Sequence, residues 1–168
     1  MSKNKIVIIG GSGSIGSSIA KEMIKEDFEP YLIGRNFAEL SKISSQLGCD
    51  FAKADVNNSK DLKKAIDNCG SDIFGLAYCA GSINLKPLKL AHENEYLDSF
   101  KVNALGAITA VKSSMDVLRE NSGSILLFSS IAVKQGFTNH TIVSSAKGAI
   151  EALTVSLAAE LSPDVRVN

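Results

Sequence analysis

Short, nearly continuous apolar runs alternate along the chain with longer stretches in which apolar residues recur three and four positions apart. Ile6–Ile9, Tyr31–Ile33, Ile73–Ala77 and Ile125–Phe128 are runs of the first kind, the pattern of parallel strands covered on both faces. Ile15–Glu26, Phe37–Leu47 and Leu62–Ile66 are of the second kind, with Lys, Glu and Ser between the apolar positions, as in helices that lay one face on a sheet. Phe51 marks a further strand before Asp55, and long helices are predicted from about Glu93 to Leu118 and from Ile142 to Leu161. Strand and helix alternating in this way predict right-handed crossovers and an α/β fold, a doubly wound parallel sheet flanked by helices. No repeat, low-complexity tract or linker interrupts the pattern, so residues 1–168 are expected to form a single domain.

Composition narrows the partners. Eighteen Lys plus Arg balance eighteen Asp plus Glu, which removes any long-range electrostatic reason to expect nucleic acid or a membrane surface. Cys49, Cys69 and Cys79 are dispersed and odd in number, so they predict free thiols in a reducing compartment and no metal site. The apolar run after Lys5 is too short for a signal-peptide core or a membrane span. A cytoplasmic location is the expectation.

The first chemical signal lies where the first strand meets the first helix. Gly10, Gly13 and Gly16 are spaced G-x-x-G-x-x-G in the segment Gly10-Gly11-Ser12-Gly13-Ser14-Ile15-Gly16. Glycine permits a tight turn and close approach of backbone to a pyrophosphate, while the free amides and dipole at the helix start favour negative charge. Any tight turn can use glycine, but the strand-to-helix context makes a nucleotide the sharper reading. The sheet is then Rossmann-like, and Ser12, Ser14 and Ile15 belong to the phosphate turn.

The second strand bears on which dinucleotide. An NAD site carries an Asp or Glu about 20 residues beyond the glycines, whereas here the strand runs into Gly34-Arg35-Asn36. A guanidinium can pair bidentately with a 2′-phosphate, so NADP(H) is expected at Arg35 and Asn36, with NAD(H) the less favoured cofactor. Asp55, beside Val56, either accepts from the adenine amino group or caps the helix that starts near Ser59.

Several separated segments resemble the short-chain dehydrogenase/reductase family over essentially the whole chain. Ala80-Gly81 matches the second half of the family's Asn-Asn-Ala-Gly segment, with Tyr78 and Cys79 in place of both asparagines. Val102-Asn103-Ala104, Ser129-Ser130 after Gly123-Ser124-Ile125, and Ser144-Ser145-Ala146-Lys147-Gly148 resemble the segments that carry its active-site Asn, Ser and Lys. The tail Val165-Arg166-Val167-Asn168 resembles the start of its sixth strand. The fold is therefore expected to be truncated within that strand, as part of a longer parent protein.

By this resemblance Asn103, Ser130 and Lys147 keep three members of the family's catalytic tetrad, and Asn103 and Lys147 also face the cofactor with Ala80 and Gly81. The fourth member, a Tyr four residues before the Lys, is replaced by Val143, whose side chain has no proton to give. His140 lies seven residues before Lys147 and shares its face if the helix has already begun there. It is the candidate substitute acid, because imidazole titrates near neutrality.

The resemblance implies an oxidoreductase acting on a carbonyl or alcohol in a small-molecule substrate, with His140 or water as proton source. The alternative is a catalytically impaired NADP(H)-binding module or regulatory subunit. It also implies a homodimer or homotetramer through the two long helices, whose small residues, among them Ala104, Gly106, Ala107, Ala110, Ala149 and Ala152, permit close packing.

Overall fold

A computed structural model describes residues 4–168. Six parallel strands form one sheet, β1 (Lys5–Ile9), β2 (Glu29–Gly34), β3 (Asp50–Lys53), β4 (Ile73–Tyr78), β5 (Ser124–Leu127) and β6 (Arg166–Val167), in the order β3-β2-β1-β4-β5-β6. This is the strand order of a doubly wound dinucleotide-binding sheet, with the reversal between β1 and β4 opening a crevice at the strand C-termini.

The helices are α1 (Ser14–Lys25), α2 (Phe37–Leu47), α3 (Ser59–Asp67), α4 (Glu93–Phe100), α5 (Gly106–Glu120), α6 (Ala132–Gln135) and α7 (Thr141–Leu161). Strand residues alternate between two cores. Val7, Ile9, Ile33, Leu76 and Ile125 pack with Leu62, Ile66, Val111 and Ile150 from α3, α5 and α7. Ile8, Leu32 and Ala77 pack with Ala20 and Leu40 from α1 and α2. Each fully buried Ile or Leu contributes about 1.5–3 kcal/mol, and continuous apolar strands supply both faces at once. Beyond α1 the second face is open, and Ile6, Ile19, Met23, Phe74 and Leu126 line a groove of about 500 Å³.

Helix ends follow local chemistry. Asn36 caps α2 by accepting from Glu39 N, and Gly48 ends that helix in the left-handed region at φ 65°. Asn58 caps α3 by accepting from Lys60 N and Asp61 N. That settles one of the two roles open for Asp55, whose Oδ1 accepts from Asn57 N within its own turn rather than capping the helix.

The largest departure from the sequence reading is in the long helix expected from Glu93 to Leu118. It is broken by a π turn over Lys101–Leu105, with Asn103 at its centre. The first strand-end boundaries also shift: β2 starts at Glu29 and includes Pro30, and β5 starts at Ser124. α7 is the one helix among the described residues long and apolar enough to cross a membrane. In the fold it packs against α4, α6 and β6, and Lys147 on it hydrogen-bonds the end of β5.

Candidate active site

The crevice at the strand ends is a cleft of about 430 Å³. From the first half of the chain its wall takes Gly10, Ser12 and Gly13 after β1, Arg35 and Asn36 after β2, and Asp55 and Val56 after β3. From the second half it takes Ala80 and Gly81 after β4. Nine predicted cofactor residues thus share one wall. Ser14 and Ile15 start α1 on the exposed side of the turn, and Gly16 is buried behind it.

The glycine turn is built to bring backbone close. Gly10 has φ +81°, and a Cβ there would stand 2.7 Å from Ala80 N. Gly13 N bonds Gly10 O at 3.0 Å, and a Cβ on Gly16 would overlap that same Gly10 carbonyl. Only a residue without Cβ keeps the turn tight and its outer face bare, as the phosphates of a dinucleotide require.

Arg35 is exposed and is the only cation among the described residues that the first half of the chain contributes to the cleft wall. Two carboxylates, Asp55 and Glu39, line it as well. Glu39 escaped the sequence reading because it falls inside α2, where it reads as a first-turn acid stabilising the helix dipole. The Asn36 side chain is engaged as the α2 cap.

At the other end of the cleft, side chains converge. Asn103 is fully buried, and its Nδ2 donates to Ser99 O at 3.0 Å and Ser82 O at 3.2 Å. Those acceptors fix the amide, so Oδ1 faces Gly81 and has no hydrogen-bond partner among the described residues. A Cβ on Gly81 would stand 2.8 Å from Asn103 Oδ1 and 3.6 Å from Lys147 Nζ. Gly81 is therefore the gap through which the amide oxygen and the ammonium meet the cleft.

Lys147 spends one of its three donors on Phe128 O at 2.8 Å. Burial lowers its pKa below the ordinary lysine value, opposed by the neighbouring Cys79 thiol. Burial likewise pushes Cys79 up to about 12, with the Lys147 charge acting the other way. Ser130 follows β5, and its Oγ accepts from Ala132 N at 3.2 Å. Beside it, Ser129 Oγ donates to Glu151 Oε1 at 2.8 Å, tying the end of β5 to α7 one turn beyond Lys147.

Val143 is buried one turn before Lys147. His140 occupies the position just before α7, without a side-chain capping bond, and is not a residue within the helix, so the condition for sharing a helical face with Lys147 is not met. Its Nδ1 pairs with Thr138 O at 2.7 Å and its ring packs against Phe137 with centroids 5.4 Å apart. No hydrogen bond joins it to Ser130 or Lys147 among the described residues.

The loop after β4 is clamped beside this cluster. Lys86 N donates to Asn139 O, joining it to the loop before α7. Glu95 on α4 accepts from Asn84 Nδ2, Lys86 Nζ and His92 N. Those bonds hold its carboxyl pKa at about 2, the Lys86 hydrogen bond contributing most.

Residues 4–168 match the family described as short chain dehydrogenase. The chain is 29% identical over 172 residues to a bifunctional ribulose 5-phosphate reductase/CDP-ribitol pyrophosphorylase of Haemophilus influenzae, covering all of this chain and 33% of that protein. It is 30% identical over 177 residues to 2-(S)-hydroxypropyl-CoM dehydrogenase 3 of Xanthobacter autotrophicus, covering 99% of this chain and 69% of that one. Actinorhodin polyketide ketoreductase, crystallised with NADPH, shares the fold with a TM-score of 0.93 at 20% identity, over 99% of this chain and 68% of that chain. The chain thus spans one third of the first relative's length and about two thirds of the other two.

Proposed function

The chain belongs to the short-chain dehydrogenase family, and on that premise we propose that it is an NADP(H)-dependent oxidoreductase acting on a carbonyl or alcohol group of a small molecule. The observation that carries this reading is the meeting of Asn103 Oδ1 and Lys147 Nζ at Gly81, on the cleft that also holds Arg35. The bare glycine turn and the unpartnered buried Asn103 oxygen fit a dinucleotide.

Bound NADPH supplies the hydride. Arg35 would pair with the 2′-phosphate, and Gly10, Ser12, Gly13, Ser14, Ile15 and Gly16 would present the amide-lined turn to the pyrophosphate. Asn36, Asp55 and Val56 bound the adenosine end; Ala80 and Gly81 leave room along the rest. Lys147 has two donors left for the nicotinamide ribose hydroxyls, and its partly desolvated charge raises the potential felt by an oxygen nearby. Ser130, already accepting from Ala132 N, keeps its own proton to donate to a substrate carbonyl oxygen that gains negative charge.

Proton delivery is the weak step. Val143 offers none, and His140 holds its Nδ1 on Thr138 O with only Nε2 free. Water or His140 supplies the proton, and loss of a positioned acid slows such a step by about 10²- to 10⁴-fold. Val143 also favours a second reading, a module that binds NADP(H) without turnover. Either way, the exposed apolar residues Leu105 on the π turn and Val155 on α7 suit a homodimer or homotetramer through α5 and α7, in the cytoplasm.

The test is oxidation of NADPH and NADH by the chain across a panel of aldehydes and ketones, with Lys147→Ala beside it. Turnover that prefers NADPH by about tenfold or more and falls by about 10²-fold in Lys147→Ala is expected. Tight NADPH binding with no turnover on any carbonyl would end the enzyme reading and leave the module.

A further inference from the structure

Asn103 reaches Gly81 because it sits in the π turn, and the turn frees one carbonyl. Gly106 N–H reaches back to Lys101 O there. In an uninterrupted α-helix it would bond Val102 O. The Val102 carbonyl, deprived of that partner, accepts instead from Tyr78 Oη at 2.6 Å. Tyr78 ends β4, is 2% exposed, and reaches across the core from the centre of the sheet. The space for its hydroxyl comes from Gly106, where a Cβ would overlap the phenol oxygen. Strand, turn and glycine form one device.

We propose that Tyr78 is a positioning residue of the candidate site, its hydroxyl holding the Val102 carbonyl in the π turn and so keeping Asn103 at Gly81 and Lys147. The consequence for turnover rests on the oxidoreductase reading above; the consequence for Asn103 does not. Remove the hydroxyl and the part-buried Val102 O loses the side-chain donor that holds it. The nearest remedy is to take back Gly106 N–H, which turns π into α. That change rotates the preceding residues by one position, about 100°, and carries Asn103, together with Ser99, off Ser82 and Gly81. Burial, with Asp55 as the lesser cause, raises the phenol pKa, so the hydroxyl stays a donor across the neutral range.

Tyr78→Phe keeps the ring and removes only the donor. In that variant the Asn103 side-chain amide pair should shift in a ¹⁵N–¹H correlation spectrum and exchange its protons at least about tenfold faster. On a turned-over carbonyl, kcat should fall by about tenfold to a hundredfold, while KM and the NADPH Kd stay within about threefold, a split that general loosening would not give. Tyr31→Phe, which removes another buried phenol far from the turn, should leave Asn103 and kcat as in the parent. Parent-like shifts and exchange at Asn103 in Tyr78→Phe overturn the proposal. If the parent turns over no carbonyl, the oxidoreductase reading fails, and the Asn103 resonances still decide the positioning. Should Tyr78→Phe not fold, Gly106→Ala displaces the intact hydroxyl and must perturb Asn103 in the same way; an unmoved Asn103 there overturns the proposal equally.

Discussion

In the half of the molecule from β1 to α3 the tightest approaches at the cleft are made by backbone, beside the side chains of Arg35, Asp55 and Glu39, whereas in the half from β4 to α7 they are made by side-chain hydrogen bonds. On the first side the close approaches are Gly10 to Ala80 N and Gly16 to the Gly10 carbonyl, contacts defined by missing Cβ atoms. On the second they are Asn103 on Ser99 one turn before it, and Asn103 on Ser82, Lys147 on Phe128 and Tyr78 on Val102, the last three joining groups far apart in sequence. Backbone surfaces are indifferent to pH and to most substitutions, but a single added methyl destroys them. Side-chain networks tolerate small steric changes, yet they depend on each donor and titrate with each acid.

The largest test of this difference is Gly16→Ala. Its Cβ would meet the Gly10 carbonyl, which is backbone and cannot rotate away. NADPH affinity should fall by about 10²-fold, equivalent to about 2.7 kcal/mol, and packing strain should lower stability by about 1–3 kcal/mol. Calorimetric titration and thermal melting measure both, and an affinity within threefold of the parent would show that the turn does not hold the dinucleotide.

A middle-sized effect is expected from the second side. Val143→Tyr places a phenol one turn from the Lys147 ammonium, where positive charge favours phenolate. Val143 is 3% exposed, so the ring must swing toward the cleft and some of the gain is lost to crowding. We expect kcat to rise by about tenfold with the NADPH Kd unchanged. A rate at or below the parent's, with the fold intact, means that proton supply is not what limits this site.

The smallest effect concerns acid. The Glu95 carboxyl has its pKa lowered from 4.5 to about 2, so its ion pair and hydrogen bonds stabilise the fold fully above pH 4.5 and are lost as pH falls toward 2. Glu95→Gln should flatten the acid limb of stability across that window and leave nothing to distinguish the chains below it. Urea midpoints measured against pH decide the matter: parallel limbs would mean that the clamp on the loop after β4 contributes nothing.

The same contrast governs what could be read from the sequence. Gly10, Gly13 and Gly16 stand out by their spacing together with their place between a strand and a helix, and the alternation of apolar runs and helical periods predicts the doubly wound sheet that the structure has. The π turn leaves no such trace: Lys101–Leu105 has the composition of ordinary helix, and its cause, Tyr78, lies more than twenty residues upstream. The Asn103 orientation depends on Ser82 and Ser99 carbonyls, which no side-chain pattern encodes. His140 was a question of where α7 begins, and a one-residue difference in a helix start decides which way an imidazole points. Pro30 lies within β2, where proline would be taken as a break, because it sits at the strand's start and ladder bonds take over beyond it.

β3 raises a different matter, how such molecules behave when crowded together. It forms one margin of the sheet and is only four residues long, opening on Asp50 and closing on Lys53, both exposed. An unpaired margin is a template on which another copy's strand could add. With eighteen charges of each sign, the molecule as a whole gains little from mutual repulsion near neutrality. Protection against fibrous stacking at this margin is therefore local: an incoming strand finds few ladder positions and must desolvate a charge at either end of them.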